Sequence, residues 1–225
     1  MVTMTLNADD HAAVSAAIAA AEAKSDGEIV AIASDLSDSY HDVGLHYAVL
    51  VMVVVLAFFA AWPQWLSQYF TWFHGWAAEP SLRQLLTLLL FIALLKFLFV
   101  LFALKWMPLR LALTPGATKS RRVRRRAVML FKTGAERRTI GRTGVLIYLS
   151  MGERRAEIVA DEAITSVTAP DVWGEAMAAL LADVREKRPG EGIVAAVGLI
   201  GDVLAAHFPK TGDDSNEIPD KLIEL

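Results

Sequence analysis

Two groups of carboxylates are the side chains of this sequence best suited to chemistry. One group, just beyond the first predicted strand, is Asp35, Asp38 and Asp42, and the other is Asp161, Glu162 and Asp171. Carboxylate oxygens bind hard divalent cations, and a bound cation can activate a water molecule for hydrolysis. Ligands of α/β folds bind beyond the carboxyl ends of the strands. The candidate metal ligands are therefore Asp35, Asp38 and Asp171, and the cofactor that they would hold is Ca²⁺ or Mg²⁺.

The rest of the sequence offers no standard catalytic motif, and we predict no catalytic residue. The absence of cysteine excludes thiol catalysis, disulfides and Cys-ligated metal sites. Nucleophile-elbow, phosphate-loop, dinucleotide-binding and HExxH patterns do not occur. The strand that ends at Asp161 is expected to be antiparallel, which places Asp161 at the opposite end of the sheet from Asp35 and disfavours one shared site. A polar turn around Asp35 and a helix cap at Asp171 explain these acids equally well.

Two long apolar segments account for much of the apolar composition, and their location determines where any site can lie. The sequence is 55% apolar, its mean hydropathy is +0.40, and no charged residue occurs from Val43 to Ala78. A helix of about 20 apolar residues spans the bilayer core. We therefore predict a transmembrane hairpin at 43–106, with spans at about 44–62 and 85–106. The connection at 63–84 is rich in aromatic residues, which is typical of the membrane–water interface.

Basic residues predict the orientation of this hairpin and a lipid contact. From Lys105 to Arg142 there are 12 Lys or Arg and one acid, Glu136. Positive charge remains in the cytoplasm, so both termini and the soluble domain should be cytoplasmic at the cell (inner) membrane of a bacterium. A basic run close to a span favours anionic lipid head groups over nucleic acid. The predicted lipid-binding residues are Lys119, Arg121, Arg122, Arg124, Arg125 and Arg126.

Lys96 is a charged residue within the second predicted span. A lysine near the bilayer centre costs roughly 2.5 kcal/mol or more unless it snorkels or pairs, and neither span contains an acid. Two explanations remain open. Lys96 snorkels toward an interface, or it contacts an acidic residue of a partner protein.

The sequence on either side of the hairpin predicts one α/β domain in two parts, 1–42 and 107–210, followed by a tail at 211–225. The first part has a helix capped by Asn7 and a buried strand at 28–34. The second has a basic helix, a strand at 145–150, an antiparallel strand at 155–161 and two further helices. Parallel pairing of 28–34 with 145–150 needs a crossover, which the hairpin and the basic helix would supply. The last helix has ten uncharged residues between Glu191 and Asp202, too few for a span, so we predict a core helix.

The ordered set of elements resembles the TPM-domain family, which is named after thylakoid-lumen phosphatase-like proteins. The resemblance is carried by the strand 144–150, the turn Glu153-Arg154-Arg155 and the segment Glu157-Ile158-Val159. The ending from His207 to Leu225 is similar to a bacterial integral-membrane subgroup that also carries an inserted hairpin. The resemblance implies an α/β/α sandwich with this transmembrane insertion. It also implies weak acid phosphatase activity, divalent-cation binding, and assembly or repair of membrane complexes.

This sequence departs from the family pattern at three points. Many relatives place the domain outside the cytoplasm, whereas the charge distribution here predicts a cytoplasmic domain. The family's glycine after the second hairpin strand is replaced, because this sequence has Ala160-Asp161-Glu162. Asp171 matches a family aspartate only after a two-residue shift.

Charge on the soluble parts favours a docking function. Residues 1–42 carry eight acids and one lysine, and residues 143–225 carry 15 acids and seven basic residues. An acidic surface is suited to the basic cytoplasmic loops of other membrane proteins. We therefore predict a membrane-anchored, TPM-like, non-catalytic scaffold or assembly and quality-control factor for membrane-protein complexes. The alternative is a weak divalent-metal-assisted phosphatase at the cytoplasmic face. The predicted partners are anionic lipids and other membrane proteins, nucleic acid is not expected, and homo-oligomerisation is left open.

Overall fold

The computed structural model describes residues 5–75, 80–134, 143–169, 171–211 and 220–225. It is an α/β structure of two compact units, Tyr40–Pro115 and a sheet unit formed by Met1–Ser39 with Gly116–Leu225. In chain order, the elements are α1 (Ala8–Glu22), β1 (Glu28–Ser34), α2 (His41–Ala61), α3 (Pro63–His74), α4 (Leu82–Ala103), α5 (Met107–Leu113), α6 (Gly116–Gly134), β2 (Gly144–Ser150), β3 (Arg155–Ala160), α7 (Glu162–Val167), α8 (Gly174–Arg185), α9 (Pro189–His207) and β4 (Leu222–Glu224).

The sheet unit is built on four strands in the order β3-β2-β1-β4. β1 and β2 are parallel, with Glu28 opposite Gly144 and Ser34 opposite Ser150. β3 is antiparallel to β2. These pairings confirm the predicted parallel and antiparallel pairs. β1 and β2 can lie at the centre of the sheet because their apolar interiors can be buried on two faces. β4 was not predicted as a strand, and it pairs in parallel with the other edge of β1.

Helices cover both faces of this sheet. On one face, alternate residues of β1 and β2, including Ile29, Ala31 and Ile147, form a core with α1, α8 and α9. On the other face, the intervening residues Val30, Ile32, Leu146 and Tyr148 pack on Val123, Ala127 and Phe131 of α6. The strand period of two residues places these two sets on opposite faces. Because this face of α6 is buried against the sheet, the predicted lipid-binding arginines of α6 lie on its other sides.

The helices around α9 approach each other closely. A Cβ added to Gly201 of α9 would lie 2.6 Å from Cβ of Ala21 in α1. α1 begins with a capping box in which Asn7 and Asp10 exchange side-chain and backbone hydrogen bonds, as the predicted cap at Asn7 requires. α9 has nine buried residues, so it is a helix of the core, as predicted.

The unit Tyr40–Pro115 is a helix pair with a helical connection. α2 packs against α4, and Gly44 at the start of α2 lies beside Leu104 at the end of α4, so the two helices are antiparallel. Each begins about three residues before its predicted span. α4 starts early because Ser81 and Gln84 form a capping box. α3 contacts both helices, while residues 76–79 of the predicted aromatic connection lie outside the described residues.

Three helices of the described chain are long and apolar enough to cross a membrane, namely α2, α4 and α9. α9 differs from the other two, because half of its most apolar window is buried, against 22% for α2 and 6% for α4. Residues 135–142, at the end of the predicted basic helix, and 212–219, in the predicted tail, also lie outside the described residues.

Candidate functional site

The first predicted metal ligands lie in the loop that follows β1. Asp35 is exposed, and its backbone carbonyl accepts a hydrogen bond from the Gly152 N–H at 2.8 Å. Asp38 binds two arginines of α6, with its Oδ2 3.1 Å from Arg122 Nη1 and 3.3 Å from Arg125 Nη2. The carboxylate of Asp38 therefore holds the loop against α6.

The third predicted ligand, Asp171, is exposed in the turn before α8. The structure does not bring it together with Asp35 and Asp38. Among the described residues, no group of three His, Asp or Glu side chains is placed to hold a metal ion. The antiparallel β3 explains the separation, because it returns the chain to the opposite end of the strands from Asp35. There Asp161 accepts a hydrogen bond from the Gly144 N–H at 3.1 Å.

Glu153 connects the loops at the end of the sheet where β1 and β2 finish. Its side chain is buried, and both carboxylate oxygens accept the Ser37 N–H, at 3.0 and 3.1 Å. The Ser37 hydroxyl lies 3.0 Å from the Tyr148 hydroxyl. A Cβ on Gly152 would lie 2.6 Å from the Asp35 carbonyl, so this turn requires a glycine. These contacts join the loop after β1 to the turn after β2.

The predicted lipid-binding residues lie on α6, on the sides of the helix other than its buried face of Val123, Ala127 and Phe131. Arg121, Arg124 and Arg125 are exposed, and the other three are half-buried. Arg122 and Arg125 are also the partners of Asp38. The basic face of α6, defined by the six predicted residues, is thus partly neutralised by the sheet unit itself.

Two clefts lie beside β3. One, of about 300 Å³, is lined by residues that include Arg124, Glu157 and Trp173. Burial raises the pKa of Glu157, and the positive charge of Arg124 partly offsets that rise. The other cleft, of about 440 Å³, contains three arginines, Arg154, Arg155 and Arg185. These arginines were not predicted as a site from the sequence, where the only signal is the basic pair that follows Glu153.

A buried carboxyl group lies at the opposite end of β1. Glu22 is 8% exposed, and its Oε1 accepts the Ile29 N–H at 2.8 Å. Burial, with further contributions from the negative charges of Glu28 and Asp220, raises the pKa of Glu22 to about 8. Glu22 is therefore largely protonated at neutral pH.

The helix pair contains Lys96 and the aromatic connection, both of which were interpreted from the sequence. Lys96 is exposed on α4, and no carboxylate among the described residues forms an ion pair with it. α3 buries Leu66 and Phe70 while exposing aromatic side chains, namely Trp65, Tyr69, Trp72 and Phe73. An exposed aromatic face of this kind fits a membrane interface.

Comparisons with known proteins concern the fold. No protein-family model matches the sequence, and no curated protein matches it. Among solved structures, the NMR structure of the BA42 protein from the psychrophilic bacterium Bizionia argentinensis is similar, with a TM-score of 0.57. The two share 17% sequence identity over 100% of this chain and 99% of that one. At this identity, the similarity supports an α/β fold and nothing about activity.

Proposed function

We propose that this chain is a membrane-anchored protein of the TPM type. The helix pair α2–α4 crosses the bilayer as an insertion in an α/β/α sandwich. The sandwich serves as a non-catalytic scaffold or assembly and quality-control factor for membrane-protein complexes. The observation that carries the proposal is the exposed apolar surface of α2 and α4.

This exposed surface is far more apolar than the surfaces of soluble proteins. Large side chains of α4 are widely exposed, among them Phe102 at 73%, Leu90 at 67% and Phe99 at 66%. Exposing apolar area costs about 25 cal/mol per Å² in water, and soluble monomers rarely expose contiguous patches of more than a few hundred Å². Lipid removes this cost, because hydrocarbon chains replace water around the helices.

The basic segment that follows α4 supports a cytoplasmic sheet unit. Basic residues are retained on the cytoplasmic side of short membrane loops, and the exposed arginines of α6 can also contact anionic head groups. The bacterial inner membrane is then the location that we propose, with both termini in the cytoplasm.

A scaffold is better supported than the alternative phosphatase. The acidic composition of the soluble segments fits docking to basic loops of membrane proteins.

Single-cysteine labelling tests the anchoring and the orientation, since the chain has no cysteine of its own. Gln68 of α3 and Ser166 of α7 are both exposed. We expect a membrane-impermeant maleimide to label Gln68→Cys in intact cells and Ser166→Cys only after permeabilisation. The reverse pattern would contradict the orientation, and equal labelling of the two variants in intact cells, both labelled or neither, would contradict the membrane crossing.

Cross-linking in native membranes followed by mild detergent extraction tests the scaffold. We expect a reproducible set of membrane-protein partners. The matched control fuses residues 40–115 to an unrelated soluble domain and should lose this set. A full-length protein that remains a monomer without enriched partners would refute the scaffold. Phosphatase activity lost in Asp35→Asn or Asp171→Asn, with the fold intact, would favour the alternative.

A further inference from the structure

The larger cleft beside β3 concentrates positive charge from three separate segments. It lies between β3, α8 and the first turns of α6, and its volume of about 440 Å³ is within the roughly 300–1,000 Å³ of small-molecule sites. Its polar lining includes Ser120, Arg154, Arg155 and Arg185. Arg154 and Arg185 are exposed at its rim, and Arg155 is half-buried.

Arg155 has hydrogen-bonding capacity that the protein does not use. Its Nη1 donates to Ser120 Oγ at 2.5 Å. Its Nη2 lies 3.2 Å from the point that a Cβ on Gly116 would occupy, so the guanidinium rests against the first residue of α6. Its Nε is buried and has no hydrogen-bond partner among the residues that the structure describes. A buried donor without a partner is costly, and a ligand oxygen would remove that cost.

The acids of the cleft offset these arginines only in part, because two carboxylates, Glu153 and Glu157, line it beside three arginines. Among the described residues, no carboxylate forms an ion pair with Arg154, Arg155 or Arg185. Both oxygens of Glu153 accept the Ser37 N–H, which holds this carboxylate toward the loop after β1. The amino end of α6 adds partial positive charge, and its first turn contains no acid.

We propose that this cleft binds a phosphate group, with Arg155 and Ser120 as inner donors and Arg154 and Arg185 at the rim. Guanidinium groups match phosphate oxygens in geometry and charge, and the amino end of a helix favours an anion. The group belongs to a lipid head group or to a soluble phosphate compound. The site is separate from the basic face of α6 and does not depend on the scaffold function.

Binding of inorganic phosphate to the full-length protein in phosphatidylcholine nanodiscs tests the site. The titration runs at neutral pH in about 0.15 M NaCl, which screens non-specific attraction, and extends to about 10 mM phosphate, beyond which binding is too weak to be specific. The readouts are calorimetry and the NMR signal of the Arg155 Nε–H. We expect saturable binding and a shift of that signal, because the buried N–H gains an acceptor.

Charge-matched variants separate the cleft from general attraction. Arg155→Gln should weaken binding about tenfold or more, the effect of losing a charge-assisted hydrogen bond. Arg121→Gln removes the same charge from exposed α6 outside the cleft and should change the affinity by less than about twofold. If Arg155→Gln does not fold, the exposed pair Arg154→Gln/Arg185→Gln provides the test and should weaken binding by a similar factor.

A second experiment, without soluble phosphate, distinguishes a lipid head group from a soluble compound as the source of the phosphate group. Nanodiscs that contain phosphatidic acid shift the Arg155 Nε–H signal if the ligand is a lipid head group, and they leave it unchanged if the ligand is a soluble compound. No saturable binding in either arm overturns the proposal. So does equal binding by the wild type and the Arg154→Gln/Arg185→Gln variant.

Discussion

Replacing Glu22 with glutamine should stabilise the sheet unit in a pH-dependent manner. Glu22 is buried at the end of α1, and its pKa is raised to about 8 by burial and by the negative charges of Glu28 and Asp220. Glutamine has the same shape and no charge. Its side-chain carbonyl can still accept the Ile29 N–H that now binds Oε1 of Glu22.

The magnitude follows from the two pKa values. The ordinary glutamate value is 4.5 and the folded value is about 8, so between them the folded state binds more protons than the unfolded state. Stability then falls as pH rises, by at most about 1.4 kcal/mol per pH unit. The stabilising effect of proton binding is complete below pH 4.5 and is lost as pH rises to about 8. At pH 7, Glu22→Gln should therefore be more stable by about 1–3 kcal/mol.

Thermal unfolding in detergent and hydrogen exchange between about pH 5 and 8 measure this effect. The wild type should lose stability across the range, while the variant should show a shallower slope. Asp220 lies just before β4, so β4 should also lose exchange protection in the wild type as Glu22 ionises. Glu175→Gln, at an exposed position, should keep the wild-type slope. Identical slopes for Glu22→Gln and the wild type would refute the electrostatic argument.

Three further substitutions test the core, the loop after β1 and the helix pair. Gly201→Ala places a Cβ 2.6 Å from Cβ of Ala21 and should lower stability by about 1–3 kcal/mol; an unchanged thermal midpoint would contradict close α1–α9 packing. Asp38→Asn breaks the pairs with Arg122 and Arg125 and should cost up to about 1 kcal/mol by chemical denaturation, whereas a larger loss would mean that Asp38 is essential to the loop. Lys96→Leu should alter the set of cross-linked membrane partners, and an unaltered set would leave snorkelling as the explanation.

Strand pairing was predictable where the sequence is locally unambiguous. The segments 28–34 and 145–150 have continuous apolar interiors and are bounded by turn residues, so burial on both faces follows directly. β4 was not predictable in the same way. It has three residues without alternation, and it forms because β1 offers an open edge.

The polar sites were harder to predict because their residues come from distant segments. The spacing of Asp35 and Asp38 predicts neighbouring ligands, but α6 supplies two arginines that occupy Asp38. The arginine cleft likewise combines residues 120, 154–155 and 185. Sequence spacing contains no information about such contacts until the packing of α6 and α8 is known.

Helix length and mean hydropathy do not separate α9 from the helix pair, although the charges at Glu191 and Asp202 do. Its most apolar window has a mean hydropathy of 1.5, against 2.5 for α2 and 2.8 for α4, and all three helices are long enough to span a bilayer. Burial separates them, since α1 and α8 pack on α9 whereas the corresponding window of α4 is 6% buried. An apolar helix needs an apolar environment, which the protein itself provides for α9. The described chain buries only 6% of the most apolar window of α4, and a bilayer would provide an apolar environment along the full length of such a helix.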